Sequence, residues 1–507
     1  MKRSLLLLAV LSIAVAAGAA DAATKDLPIL MQAPAKPYEV LETYVWEGKP
    51  SNLDDVLAGM AEKAKKLGIT EALLVRETDR CDGQMVTRVL ARAIHYTRYE
   101  GPDLCRKCHD RIYDQYAESM HSRSASNPVF LAQYFNELLP RLAREPQLAA
   151  EADRCTACHN PVEFMTHNRY MTSQPAVTTS QWEVTCEFCH TIPGQIGNTP
   201  GNGNYRSVAG DRKKGPIREQ SWHYEYSAFV RSSEFCGMCH NATNHNGLVI
   251  KSTYDEWAAS AYARAKVQCQ DCHMNREGYL IGDRAEFDRG RLTSSVMPTR
   301  RNTRRRIYDH RFPGAHTMKQ IDGSLGLAVL TDEAVYAPGQ RVTATVTVDN
   351  ERAGHCMPTG SIDLRLLWLE VRAFVDGAEV PVELASEGSS IRYAVAGADP
   401  SGMPFTRDIP KGSRVYRAIF DDVGGRPTLS SYDAQMVVFD NRLKAGEVRD
   451  EIYRFTVPPS AKGNLVVQAS LKYLRYSTLF ARKLGIPVLQ PHEIAAASRE
   501  ARVRPQP

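Results

Sequence analysis

Five copies of Cys-x-x-Cys-His constrain this chain more than anything else in it: Cys105-Cys108-His109, Cys155-Cys158-His159, Cys186-Cys189-His190, Cys236-Cys239-His240 and Cys269-Cys272-His273. In each copy two thiols can add to the two vinyl groups of a haem, while the adjoining histidine coordinates its iron from one side. A single copy can arise by chance. Five copies take ten of the twelve cysteines, which a structural zinc site or a disulfide framework does not explain. The expectation is five covalently attached haems c.

The motif starts are 50, 31, 50 and 33 residues apart, a rhythm that implies a repeat of 81 to 83 residues holding two sites, with a fifth at one end. Short helices and long loops are expected over a haem domain spanning 101–322. Five macrocycles carried on so little chain cannot each be buried separately, so the haems are expected to touch. Pro193 to Gly215 reads as a surface loop. Arg300, Arg301, Arg304, Arg305, Arg306 and Arg311 read either as a solvated basic face or as partners for haem propionates or an acidic redox protein.

The first residues, Met1-Lys2-Arg3, an apolar run from Leu5 to Ala17 and Ala20-Asp21-Ala22, read as a secretory signal over 1–22. Its apolar core is too short to cross a bilayer and no later stretch is long enough, so a periplasmic or extracellular protein without a membrane span is expected. Cleavage after Ala22 removes Lys2, Arg3 and Asp21 from 63 basic and 58 acidic residues, leaving a formal +4. Each ferric haem with both propionates ionised adds roughly −1, so the basic pI is a poor guide and a nucleic-acid partner has no support.

Residues 23–100 carry no motif and read as a helical segment: Leu53, Val56, Leu57, Met60 and Ala64 recur at helical spacing, as do Val86, Val89, Leu90 and Ala93. Thr70 to Val75 stays open between strand and helix. Cys81 is either a buried small hydrophobe or the disulfide partner of Cys356, the only other cysteine left over. Over 323–484 the pattern changes to period two, as in Val342, Ala344, Val346 and Val348, and Asp376-Gly377 is a hairpin signal. The fold class expected is α+β and multidomain: a mainly helical and looped multihaem domain, then an antiparallel β-sandwich, then a tail over 485–507.

Nine histidines lie outside the motifs, and a lone histidine is ordinarily a surface or satisfied core residue. Here they cluster near the motifs. His109, His159, His190, His240 and His273 supply one axial ligand each, and what fills the other position separates a carrier from a catalyst. His121, His223, His310 and His355 are the first candidates, with His310 placed ahead of His316, and with His167 and His245 competing for the remaining place. His95 and His492 read as structural. His355 stands in a glycine- and proline-flanked loop between the first two strands, suited to an excursion toward a haem.

Three segments carry a resemblance: Tyr113-x-x-Tyr116-x-x-Ser119-x-His121, Ser232-Ser233-Glu234-Phe235-Cys236, and Trp257-x-x-Ser260-x-Tyr262 ahead of Val267-Gln268-Cys269. They look like the multihaem cytochromes related to hydroxylamine oxidoreductase and to the tetrahaem cytochrome c of ammonia oxidisers. The resemblance implies haems stacked in parallel and perpendicular pairs, mostly with two histidine ligands. The chain departs from it in having five motifs and no Cys-x-x-Cys-Lys site, so catalysis is not carried over. The reading is an exported pentahaem carrier of electrons between redox partner proteins in anaerobic respiration, its sandwich offering a partner or self-assembly surface. The rivals are an oxidoreductase acting on a small nitrogen or sulfur compound at one open haem, and a subunit of an extracellular cytochrome filament.

Overall fold

The computed structural model describes residues 27–504 except 33, 35–37, 50–51, 69, 82–84, 97–98, 166–182, 208, 211, 217, 219–222, 276–286, 289–304, 307, 386–390 and 398–406. The expected signal segment, His167, Arg300, Arg301 and Arg304 lie outside the described residues, as do the side chains of Cys81, Arg305 and Arg306. Two compact units are present, residues 1–34 with 40–95, and residues 35–39 with 96–507.

In the first unit the helix Leu53–Lys65 buries Leu57, Met60, Ala61 and Ala64, with Asp54 and Asp55 in its first turn and Lys63 and Lys65 in its last, signs that suit the helix dipole. Thr70 to Val75 leads into the strand Ala72–Cys81. The expected second helix is corrected: Val86 to Ala93 lies in the strand Met85–Tyr96, antiparallel to Ala72–Cys81 from Ala72↔Ile94 to Cys81↔Met85. Thr87, Val89, Ala91 and Ala93 all point inward and are buried, a period of two that the larger side chains alone do not reveal. The segment expected to be helical is therefore one helix and a four-stranded sheet.

In the second unit each motif sits on or beside a short helix: Pro102–Arg106, Ala149–His159, Cys186–Cys189, Ser233–His240 and Cys269–His273. Cysteines three apart share one helical face, so one turn presents both thiols to the same side. Pro193 to Gly215 is more than a surface loop. Tyr205 is buried and donates to the Ala157 carbonyl at 2.9 Å, and Gly203 donates its N–H to the Met238 carbonyl at 2.7 Å. Gly203 has φ +67, and a Cβ there would lie 2.6 Å from that of Ala157, so only glycine lets this segment clamp the second motif helix to the fourth.

From Gly326 onward the chain is mainly strands. One sheet runs Gly326–Thr331, Arg341–Asp349, Val448–Thr456, Glu383–Leu384. A second runs Val335–Tyr336, His492–Val503, Asn464–Leu474, Leu366–Val375, Ala378–Val380, with Arg414–Tyr416 also on Leu366–Val375, and a smaller third runs Pro427–Thr428, Ala418–Asp421, Met436–Asp440. Val342, Ala344, Val346 and Val348 of the first share one core with Leu367, Leu369, Val467 and Leu471 of the second. Two expectations are corrected. The supposed tail contains His492–Val503, paired along Asn464–Leu474, and Val335–Tyr336 pairs with that strand in parallel. The α+β class stands. Cys356 is a free thiol.

Candidate haem-binding cavity

A cavity of about 1380 Å³ in the second unit is lined by residues of all five motifs. A pocket for one small molecule occupies roughly 300–1,000 Å³, so this space is larger than one such ligand needs. Nine of the ten motif cysteines line it; Cys108 does not, and is exposed. The thiols of Cys105 and Cys186 are close enough to shift each other's ionisation, as are those of Cys158 and Cys239, and of Cys236 and Cys269. The first two contacts join motifs 81 residues apart, so the sequence repeat meets its own copy in space. The shorter interval of 31 residues is not where these contacts form.

Four motif imidazoles each face a second imidazole. His109 and His223 have ring centroids 6.3 Å apart, His240 and His121 6.3 Å, His190 and His310 6.4 Å, and His273 and His355 6.2 Å. An imidazole nitrogen binds a transition metal at about 2.0–2.1 Å. Two such bonds plus two half-rings account for this separation. The residues present therefore fit a metal between each pair.

The other ring nitrogen is settled in several of them. Nδ1 of His159, His190, His273, His310 and His355 lies 2.6–2.9 Å from the carbonyls of Ser124, Lys214, Pro313, Tyr308 and Cys356 respectively. A carbonyl only accepts, so Nδ1 carries the proton and Nε2 keeps its lone pair for a metal. Burial, then the neighbouring His273, lowers His121 to about 4, and burial first of all holds His240 and His310 at about 3. Each stays neutral, the form that ligates.

Two positioning groups gave no sequence signal. Phe312 has φ +46, a left-handed conformation that a bulky side chain rarely adopts, and its ring meets His121 at 4.6 Å and His310 at 5.6 Å, edge to face in both. It fixes two imidazoles at once. Glu256, on the helix Thr253–Ala258, is buried with Arg442 at 2.6 Å and accepts from Ser252 Oγ at 2.6 Å, Thr359 Oγ1 at 2.7 Å and the Cys356 N–H at 3.1 Å. Asn350, fully buried, donates to the His355 carbonyl at 2.9 Å. These contacts clamp the His355 loop onto the haem region.

His159 is different. Phe130 stacks on it at 4.4 Å with the rings 2° from parallel, and among the described residues, which leave out His167, no second imidazole faces it. His245 is turned to Glu151, which accepts from its backbone N–H and lies 3.3 Å from Nδ1. His316 bonds to Arg475 through Nδ1. His95 pairs with Glu71 at 2.9 Å and His492 with Asp322 at 2.5 Å. Arg311 pairs with Glu118 and Asp309, so its guanidinium is engaged by protein carboxylates. Cys155 and Cys189 thiols are pushed up to about 12 by burial.

Residues 104–191 match the family described as cytochrome c554 and c-prime. No curated protein matches the chain. Among solved structures it is similar to a penta-haem cytochrome c552 from Thermochromatium tepidum, at 20% identity over 80% of this chain and 99% of that one, with a TM-score of 0.55, a likeness of fold. Two other structures align far more loosely. The CARDB domain of the PF1109 protein of Pyrococcus furiosus is 9% identical over 36% of this chain and 94% of its own, with a TM-score of 0.16. Native alpha-2-macroglobulin from Escherichia coli is 12% identical over 36% of this chain and 17% of its own, with a TM-score of 0.18. The family match supports a c-type cytochrome, and the first likeness is one of fold alone. Among the described residues no helix is long and apolar enough to cross a membrane.

Proposed function

We propose that this chain is an exported pentahaem electron carrier, related to the hydroxylamine oxidoreductase and tetrahaem cytochromes, that passes single electrons between redox partners in anaerobic respiration. The supporting observation is the set of four facing imidazole pairs, all 6.2–6.4 Å apart. In this reading Cys105, Cys108, Cys155, Cys158, Cys186, Cys189, Cys236, Cys239, Cys269 and Cys272 attach five haems. The axial pairs are His109 with His223, His190 with His310, His240 with His121, and His273 with His355. Haem, when bound, supplies a reversible one-electron couple, and histidine on both sides favours a lower potential than methionine would.

The chain's own residues supply the order. Motif 1 touches motif 3, and motif 4 touches both 2 and 5 through the thiol contacts above. The charge of a Cys189 thiolate raises the Cys236 and Cys239 thiols, so motif 3 also stands near motif 4. Cys108, outside the cavity, marks the end open to a partner. The two-sheet region then acts as a sandwich that covers the other end and holds His355.

A second reading is favoured by one observation, the absence of a facing imidazole at His159 among the described residues. It places reduction or oxidation of a small nitrogen or sulfur compound at the second motif. Both readings require five haems. Intact mass after export from a host that matures c-type cytochromes should exceed the apo mass by five haems, and reductive titration should consume five electrons. Four or fewer in a homogeneous preparation would contradict the proposal.

A further inference from the structure

Arg365 and Arg475 stand side by side at one end of a strand pair. They continue the strands Leu366–Val375 and Asn464–Leu474 just beyond the register pair Leu366↔Leu474. Arg365 Nη1 donates to the Arg475 carbonyl at 2.8 Å, and Arg475 Nη1 donates to His316 Nδ1. Among the described residues neither guanidinium pairs with a carboxylate, and the Arg365 Nε–H is buried with no acceptor. Asp363, two residues away and lining the same cavity, makes no ion pair with either guanidinium, although the Arg365 charge acts on it. Two like charges packed together with an unused buried donor are unfavourable unless an anion completes them.

The third donor follows from chemistry. A guanidinium only donates, so His316 Nδ1 must accept, and its proton sits on Nε2. His316 therefore offers the cavity an N–H, where an iron ligand would offer a lone pair. Arg365 and His316 line the cavity, with Tyr473 and Tyr476 beside them. An arginine fork with a neighbouring N–H is the arrangement that grips a planar carboxylate or oxyanion.

We infer that Arg365, Arg475 and His316 form an anion site at the cavity wall, built to hold a carboxylate. Resting on the haem reading, the carboxylate is a haem propionate. The fifth motif is the one linked to this wall, because Pro313, three residues before His316, accepts from His273 Nδ1 at 2.6 Å. A free oxyanion such as nitrite is the other source of the same chemistry.

The test uses the holoprotein, with haem content measured first by mass, and spectroelectrochemical titration in an oxyanion-free Tris chloride buffer. If a propionate fills the site, Arg365→Leu and Arg475→Leu each lower one midpoint potential and leave the rest. The expected shift is at least tenfold in that haem's reduction equilibrium, 59 mV for one electron. Arg365→Lys keeps most of the wild-type value, and Arg372→Leu, at an exposed pair with Glu379, changes none. If a free anion fills it, nitrite shifts a midpoint in the unmodified protein and in neither leucine variant. Five haems, unchanged midpoints and an unchanged response to nitrite in both leucine variants would overturn the site. Fewer than five haems in the unmodified protein would sink the haem reading, leaving nitrite calorimetry on the same variants to decide the anion site by itself.

Discussion

Replacing Glu256 by alanine should lower the free energy for opening the His355 loop by about 3–5 kcal/mol, the range for removing one partner of a buried ion pair. The loss is large because Arg442 stays behind, buried, with Asp440 at 2.8 Å and the Pro358 carbonyl at 3.2 Å, while Thr359 and the Cys356 N–H lose their acceptor. Hydrogen exchange of amides over 350–361 reads it directly, since local opening sets their protection. Unchanged protection would show that Asn350 and the Met357–Leu443 bridge hold the loop without Glu256. The effect has a pH signature. Burial pushes the Glu256 carboxyl up, but Arg442, with Ser252 and Thr359, outweighs it and holds the group below its ordinary value. A depressed folded value means that the stabilisation is fully present above the ordinary carboxylate range and is lost as pH falls through the folded value. Acid should therefore loosen this loop in the unmodified protein and not in the alanine variant.

His355→Ala should leave all five haems attached, because attachment depends on the Cys-x-x-Cys-His segments alone, and should convert one low-spin haem fully to high-spin. His273 would then have no imidazole opposite it, where it now has one at 6.2 Å. Carbon monoxide uptake by the reduced protein should rise by one equivalent. Proteolysis over 320–340 should quicken, because the sheet region loses one of its ties to the cavity. His316→Ala is the control: its Nδ1 is committed to Arg475, so the spin count should stay where it is. An unchanged spectrum in His355→Ala together with a new high-spin signal in His316→Ala would exchange their roles.

The motifs were legible because covalent attachment demands a fixed local spacing that no fold can stretch. His121, His223, His310 and His355 were legible as candidates because they crowd the motifs or sit in loops where packing asks for no imidazole. Which motif each one faces was not legible. His121 follows motif 1 by twelve residues yet faces His240 of motif 4, and His310 faces His190, pairings made by long-range packing. Counting spare histidines also left the second motif's partner open: His245 is turned to Glu151 and His316 to Arg475, while His167 lies outside the described residues. Phe312 and Glu256 are ordinary residues whose roles exist only once a left-handed backbone and a buried arginine are in place. The last strand was missed because His492 to Val503 is built largely of alanines and charged residues. Only Ile494, Ala501 and Val503 of it are fully buried, too few to print a period.

The central claim is that each of four iron positions is closed by two histidines, in the pairs His109 with His223, His190 with His310, His240 with His121 and His273 with His355. Low-temperature electron paramagnetic resonance of the oxidised protein, paired with a carbon monoxide titration of the reduced protein, tests it most directly. At least four low-spin ferric signals and no more than one carbon monoxide bound per chain are expected. Two or more high-spin signals, or two or more carbon monoxide molecules bound per chain, would contradict it.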